Sequence, residues 1–458
     1  MFLREKKGKM SMKKSINIVL LLFVSVLFAP QICAKTMIIN DVKYKLDDKR
    51  MIATYESFVG ERLLNQEVYS FPNTVEQAGK KYVVTKIGKD AVKNISAKKI
   101  IIPASIRKID VVSLRDFDVE ISLENKSFVA KNNIVYSADK KTALVSGKLN
   151  KHVIITEGTR IIEGEAFHGS DVEEIMLPKS VKIIKKNTFS KCRKLKKIVV
   201  SSQNPYMVEK NGAIYTKNMK KLLCAGVAQE TLLLPKKVKR IAPYSFSGNT
   251  TVKKVVIPKS VTCLSKRCFA FSNIKEISLP DTLEKIGSQA FRECQQLKQI
   301  KIPNNVKIIG KGSFLGCTKL KKIELPNSLK VIEDRLLWNC PSLRKIRLPE
   351  SLCRIRKEAF KNCGFEKLVI PESVTSIEKN ALETTIGTLV FESEIVPKIE
   401  DQEVCLFGKN EAGEYPEDVL DQRYNYNIIR GIGIIKVPEK SYAKYKKALR
   451  QKIRYQKM

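Results

Sequence analysis

Proline recurs through the middle of the chain at Pro235, Pro258, Pro280, Pro303, Pro326, Pro349 and Pro371, in steps of 23, 22, 23, 23, 23 and 22 residues. A fixed period of this length marks a repeat solenoid, in which one coil buries too little to stand alone and stacking supplies the core. Aligned on proline, the unit reads L-x-x-I-x-L-P-x-S-V-x-x-I-x-x-x-A-F-x-x-C. Alternation before the proline, as in Ile323 and Leu325 around Glu324, predicts a short strand with one buried face. Proline then ends the strand, because it has no N–H for a ladder. Eleven residues after each proline stands a large apolar residue: Phe189, Phe246, Phe269, Phe291, Phe314, Leu337, Phe360 and Leu382. Weaker units surround Pro103 and run from Ile155 to Phe167, with Thr156 in the proline position, so about ten repeats span Val83 to Leu382. The expected fold is a solenoid of about 22–23 residues per coil, with a parallel β-sheet on one face and an irregular opposite face.

Two segments interrupt the period. Asn125–Gly147 aligns without gaps on Asn204–Gly226 at an offset of 79 residues, which persists from Phe167 to Phe246. Asn211-Gly212 between extended stretches signals a tight hairpin turn. Each insert therefore reads as a β-hairpin extension of one coil, and an exposed hairpin there serves as a spacer or a binding loop.

The blocks "I-x-L-P-x-S-V-x-x-I" and "A-F-x-x-C", clearest in "LEKIGSQAFRECQQLKQIKIP" from Leu283 to Pro303, resemble the BspA-like leucine-rich repeat family of surface proteins. "YVVTKIGKDAV", Tyr82 to Val92, is similar to the family's opening of the array, and "IKVPEKSYAKYKKA", Ile435 to Ala448, to its terminal cap. The resemblance implies a leucine-rich repeat solenoid with an extracellular binding or adhesion role, without naming a ligand.

The ends are different in kind. Lys13 and Lys14 precede an apolar run from Ile16 to Phe28 that stops at Pro30 and reaches Ala34, the order of parts in a secretory signal peptide. The run is short for a membrane span. The organisation expected is a leader at 1–34, an N-terminal cap at 35–82, the solenoid at 83–387 with hairpin inserts near 125–147 and 204–226, and an irregular loop, cap and basic tail at 388–458. The mature protein is expected to be secreted or on the cell surface, with no transmembrane span after cleavage.

Little in the chain suggests catalysis. His152 and His168 are its two histidines, and the sequence offers neither a convincing nucleophile or acid partner. No glycine-rich phosphate loop occurs. A carboxylate pair can assemble from distant positions, but a solenoid without a large cleft-forming insertion rarely builds one, so no enzyme activity, metal or cofactor is expected. Cysteine follows the large apolar position by three residues at Cys192, Cys294, Cys317, Cys340 and Cys363. Stacking at roughly 5 Å brings such residues within disulfide range, yet equivalent side chains point the same way, so a buried thiol column is expected. Cys263, Cys268, Cys353 and Cys405 lack the C-x-x-C spacing of a zinc site.

The formal net charge of +38 favours acidic partners. Five residues before successive prolines come Lys253, Lys275, Lys298, Lys321 and Arg344; the next position holds Lys254, Lys322, Lys345 and Lys367, interrupted by Glu276 and Gln299. Two residues further, on the same strand face, come Lys301, Glu324 and Arg347. Unit charges roughly 5 Å apart repel by about 1 kcal/mol in water and about 3 kcal/mol at an effective dielectric of 20. Such a ladder suits a linear polyanion, so these eleven basic residues are the candidate binding site for an anionic glycan or an extracellular protein. Nucleic acid is the least favoured partner of an exported chain. Long basic side chains also shield an exposed sheet, so a structural scaffold or spacer associated with anionic envelope polymers stands as the alternative.

Overall fold

Alternation is clear in the second strand. In Val42–Asp47 the side chains of Val42, Tyr44 and Leu46 are buried while Lys43 and Lys45 face solvent. The structure is a computed structural model describing residues 35–59, 63–110, 114–192, 194–226, 229–400, 432–449 and 455–457. The expected leader, Cys33, Cys405 and most of the irregular segment after Phe391 lie outside the described residues.

The chain divides into two compact units. The first takes Met1–Ala97, Ile101–Val111 and Ser122–Lys126. Its strands Lys35–Ile39, Val42–Asp47 and Ile52–Phe58 form an antiparallel meander, and Lys80–Ile87 joins Ile52–Phe58 in parallel. Through that pairing the strand Lys80–Ile87 completes the meander's sheet. Lys108–Ile109 then pairs in parallel with Lys80–Ile87, the first step of one coil. Tyr44, Tyr55 and Phe71 pack edge to face in its core.

The second unit takes Lys98–Ile100, Val112–Ile121 and Ser127–Met458. Ahead of each proline position runs the expected parallel ladder, seen in His152–Ile154, Glu174–Leu177 and Lys197–Val200, then Thr231–Leu233, Lys254–Val256 and Glu276–Ser278, then Gln299–Lys301 and Lys322–Glu324. The rest of each coil is more ordered than the sequence suggested. The V-x-x-I half of the motif forms a second parallel ladder of two-residue strands, including Cys263–Leu264, Lys285–Ile286 and Ile308–Ile309. Its inward residues Leu264, Ile286 and Ile309 are buried, so the motif isoleucine holds one ladder as the pre-proline isoleucine holds the other.

Between the ladders the chain must turn twice, and it does so in the left-handed region. Nine residues after the proline position, Tyr244, Arg267, Gln289, Arg335 and Glu358 have φ between 55 and 63 or, for Arg267, 54. Thirteen residues after it stand Phe271, Glu293, Asn339 and Asn362 with φ of 57 to 61, and Gly248 and Gly316 in other coils. A non-glycine residue there is uncommon, so the corner geometry is imposed by stacking.

The motif residues divide the packing among themselves. Phe246, Phe269, Phe291 and Phe314 form a face-to-face stack with centroids 4.4, 5.2 and 5.2 Å apart. The in-phase cysteines are free, buried thiols. Each donates to a backbone carbonyl of the preceding coil: Cys294 to Phe269 at 3.0 Å, Cys317 to Phe291 at 3.1 Å, Cys340 to Phe314 at 3.2 Å and Cys363 to Leu337 at 3.1 Å. Burial pushes Cys294 and Cys340 up to about 12, keeping them protonated donors. The serine two residues after proline bonds backward as well, Ser260 to the carbonyls of Lys236 and Val238, and Ser328 to those of Asn304 and Val306. Each of these coils thus satisfies carbonyls of the one before it.

The two inserts are hairpins, but not exposed extensions. Met207–Lys210, Ala213–Thr216 and Lys221–Cys224 form an antiparallel meander whose last strand pairs in parallel with Arg240–Ile241, and Phe128–Lys131, Ile134–Ser137 and Thr142–Ser146 do the same with Ile161–Ile162. Ile134, Tyr136, Ile214 and Tyr215 are fully buried, because the third strand belongs to the second ladder and draws the hairpin into the core. Asn211 and Gly212 both have positive φ, as the turn requires. Near the end, Ile432–Val437 extends the first ladder and the short helix Tyr442–Ala448 buries Tyr445 against Phe391. Among the described residues no helix is long and apolar enough to cross a membrane.

Candidate ligand-binding surface

The ladder strands present alternate residues outward, and the register sets which basic residues become neighbours. Lys254 lies beside Glu276, Gln299 beside Lys322, and Lys345 beside Lys367. On the next outward row Lys301 lies beside Glu324. Lys253, Lys275, Lys298, Lys321 and Arg344 form a third row at the margin of the sheet, where the residue before each strand departs from alternation. All eleven candidates reach solvent; Lys253 is half-buried and the others are exposed.

Charge is not uniform along these rows. Lys253 pairs with Glu230, Lys254 with Glu276 at 3.1 Å, Lys322 with Glu324 at 2.7 Å and Lys345 with Glu366 at 3.3 Å. The Lys253 ammonium holds the Glu230 carboxyl below its ordinary range, and Lys322 does the same for Glu324. Glu230 and Glu366 were not recognisable as partners in the sequence, because each sits one coil away from its lysine. Arg344 donates to the carbonyl of Gly364 at 3.2 Å. Among the described residues, Lys275, Lys298, Lys301, Lys321, Arg347 and Lys367 have no ion-pair partner.

The later part of this face holds a groove of about 830 Å³ lined by Lys322, Lys345, Arg347 and Lys367 together with Glu324, Glu350 and Glu392. It is mixed in charge. The less compensated cations lie just before it, at Lys275, Lys298, Lys301 and Lys321.

The histidines are placed less simply than the sequence suggested. His152 is exposed and meets Glu174 at 3.2 Å. His168 has a hydroxyl partner after all, its Nδ1 lying 2.6 Å from Ser190 Oγ. The two are 22 residues apart and so stacked on adjacent coils, a neighbour relation visible only once coils are superposed. Burial lowers the His168 pKa. Ser190 is itself 4% exposed and lines a cavity of about 40 Å³, room for a few waters and not for a substrate.

Residues 146–224, 217–340 and 264–389 match the BspA type leucine-rich repeat region, with six copies that together span more than half of the chain. No curated protein matches. Among solved structures, the chain is similar to a leucine-rich repeat protein from Eubacterium ventriosum, at 22% identity over 76% of this chain and 94% of that one with a TM-score of 0.47. It is similar to a leucine-rich cell surface protein from Faecalibacterium prausnitzii, at 20% identity over 68% of this chain and 93% of that one with a TM-score of 0.42. A third is the pneumococcal vaccine antigen PcpA, at 21% identity over 80% of this chain and 99% of that one with a TM-score of 0.41. By the repeats that fill its second unit, this chain belongs to the family built on the BspA type leucine-rich repeat.

Proposed function

We propose that this is an exported, non-enzymatic binding protein that holds an acidic polysaccharide along the outward face of its pre-proline ladder. One observation carries the reading: Lys275, Lys298, Lys301, Lys321, Arg347 and Lys367 stand on successive coils without ion-pair partners among the described residues, although other lysines on the same face have them. Cations kept at a regular rise, despite mutual repulsion of about 1 kcal/mol or more per neighbouring pair, suit a polymer that carries anions along its length.

The test is the quadruple reversal Lys275→Glu, Lys298→Glu, Lys321→Glu and Arg344→Glu. Saturable, salt-sensitive binding to an acidic glycan should be lost while the circular dichroism spectrum stays unchanged; undiminished binding would sink the proposal. A second reading is favoured by the pairs Lys253–Glu230, Lys254–Glu276 and Lys345–Glu366, each of which ties one coil to the next. On that reading the protein is an envelope scaffold whose surface charges brace the stack, and reversing Lys253, Lys254 and Lys345 lowers thermal stability with no ligand affected.

A further inference from the structure

Between nine and thirteen residues past the proline, off the pre-proline ladder, the chain pairs aromatic rings with guanidinium groups in three places. The Arg267 guanidinium lies 5.8 Å from the Tyr244 ring centroid, Arg292 lies 5.4 Å from Phe271, and Arg335 lies 4.7 Å from Trp338. Phe271 holds a left-handed φ of 61 and is 42% exposed. A bulky residue in that conformation is a genuine outlier that persists only where the surroundings impose it. These pairs border a second groove of about 1150 Å³, lined by Arg267, Arg292, Arg335 and Trp338 and flanked by Lys266 and Lys357.

Three of the groove's carboxylates or their neighbours are already engaged: Asp334 with Lys311 at 2.5 Å, Glu383 with Lys361 at 2.7 Å, and Glu358 with Arg335 at 2.5 Å. Lys266, Arg292 and Lys357 have no ion-pair partner among the described residues. Two buried polar atoms of lining residues are also unsatisfied: the Arg292 Nε donor and the Asn362 Oδ1 acceptor have no hydrogen-bond partner among the described residues. The wall therefore offers cations, and the half-buried carboxylate of Glu293, beside an indole.

We propose that this groove is a second binding site, distinct from the lysine ladder, that takes a short carboxylated oligosaccharide. A uronic acid ring has an apolar C–H face suited to Trp338 and a carboxylate suited to Arg292 and Lys357. An acidic peptide would meet the cations, but it brings no flat apolar ring to the indole. The site does not depend on the ladder's holding a polymer.

Trp338 is the chain's one tryptophan, so its fluorescence reports this groove alone. The experiment titrates the full chain with a hexasaccharide of alternating glucuronic acid and N-acetylglucosamine, with its carboxyl-reduced form, and with hexaglutamate. The expected result is a saturable change in Trp338 emission with the first probe and none with the second or third. Arg292→Gln should weaken binding about fivefold or more, in line with loss of a charge-assisted contact, while Lys275→Glu/Lys298→Glu/Lys321→Glu leaves it within about twofold. Should Arg292→Gln fail to fold, Lys266→Gln/Lys357→Gln makes the same test from exposed side chains. The proposal is overturned if emission does not respond, if hexaglutamate or the carboxyl-reduced sugar serves equally well, or if the ladder triple variant abolishes the response.

Discussion

The coils around residues 151–200 and those around residues 253–367 fill two separate hydrophobic clusters with the same motif residues but treat their outward charge differently. In the earlier coils Glu173 sits between Lys151 at 3.3 Å and Lys196 at 2.5 Å, and Glu174 between His152 at 3.2 Å and Lys197 at 3.0 Å. The neighbouring outward row there is apolar, with Ile154 63% and Met176 42% exposed. In the later coils that row becomes Lys301, Glu324 and Arg347, and the margin row is basic in five consecutive coils. The fold therefore has a working way to neutralise a ladder of lysines, and the later coils use it only in part. Outward positions are free to vary because the interior fixes the coil without them.

Breaking the aromatic packing of either cluster should have the largest effect, and it should be alike in both regions. Phe291 is fully buried between Phe269 and Phe314, and Phe167 is fully buried against Phe189 at 5.7 Å. Replacing either by alanine should cost about 3–5 kcal/mol, read from the denaturant midpoint by circular dichroism. A much smaller loss at Phe167 would mean that the earlier coils are held by something other than this column.

Charge reversal separates the regions. The quadruple change at Lys275, Lys298, Lys321 and Arg344 should lower affinity for an acidic polysaccharide at least tenfold and flatten its salt dependence by about 0.7 per lost contact, the value for a single-stranded polyanion. Lys151→Glu, Lys196→Glu and Lys197→Glu in the earlier coils should leave that affinity unchanged. If both sets weaken binding equally, net charge alone is responsible and the ladder has no special place.

How much of this was legible beforehand depends on whether a residue's role is set by its own coil or by the next one. The period, the strand before proline and the buried Phe and Cys columns are properties of a single motif, and they were readable. Ser260 and Cys317 could be placed in the motif, but their bonds to the preceding coil's carbonyls needed the stack itself. The second ladder was missed because two residues, as in Lys285–Ile286, are too few for alternation to register. Of the candidate site, the eleven basic residues were legible; their compensation was not, because Glu230 and Glu366 face them from adjacent coils. The arginine–aromatic corner left no sequence signal, since Tyr244, Phe271 and Trp338 occupy different motif positions.

Acid should act first on the region that relies on carboxylates. The hydrogen bonds from Lys196 and Lys197 hold Glu173 and Glu174 below their ordinary range. A depressed folded-state pKa contributes stability above the unfolded value, and this is lost as pH falls through the folded value. The melting temperature should therefore drop as pH is lowered from neutral to below about 4, and Glu173→Gln/Glu174→Gln should lower it at neutral pH and reduce that drop. An unchanged pH profile in the double variant would show that these surface pairs do not brace the coils.

The smallest expected effect is also the most selective, because it adds no charge and removes only one. Glu324 accepts from Lys322 at 2.7 Å and lies in register with Lys301, so it occupies two rows of the ladder at once. Glu324→Gln keeps the side chain's length and hydrogen-bonding capacity while releasing Lys322. An exposed pair of this kind contributes at most about 1 kcal/mol, so stability should hardly move. Affinity for an acidic polysaccharide should instead rise a few-fold, with a steeper salt dependence by about one contact. That direction separates the two readings of the ladder: a binding surface gains affinity from losing Glu324, whereas a scaffold without a specific ligand shows no such gain.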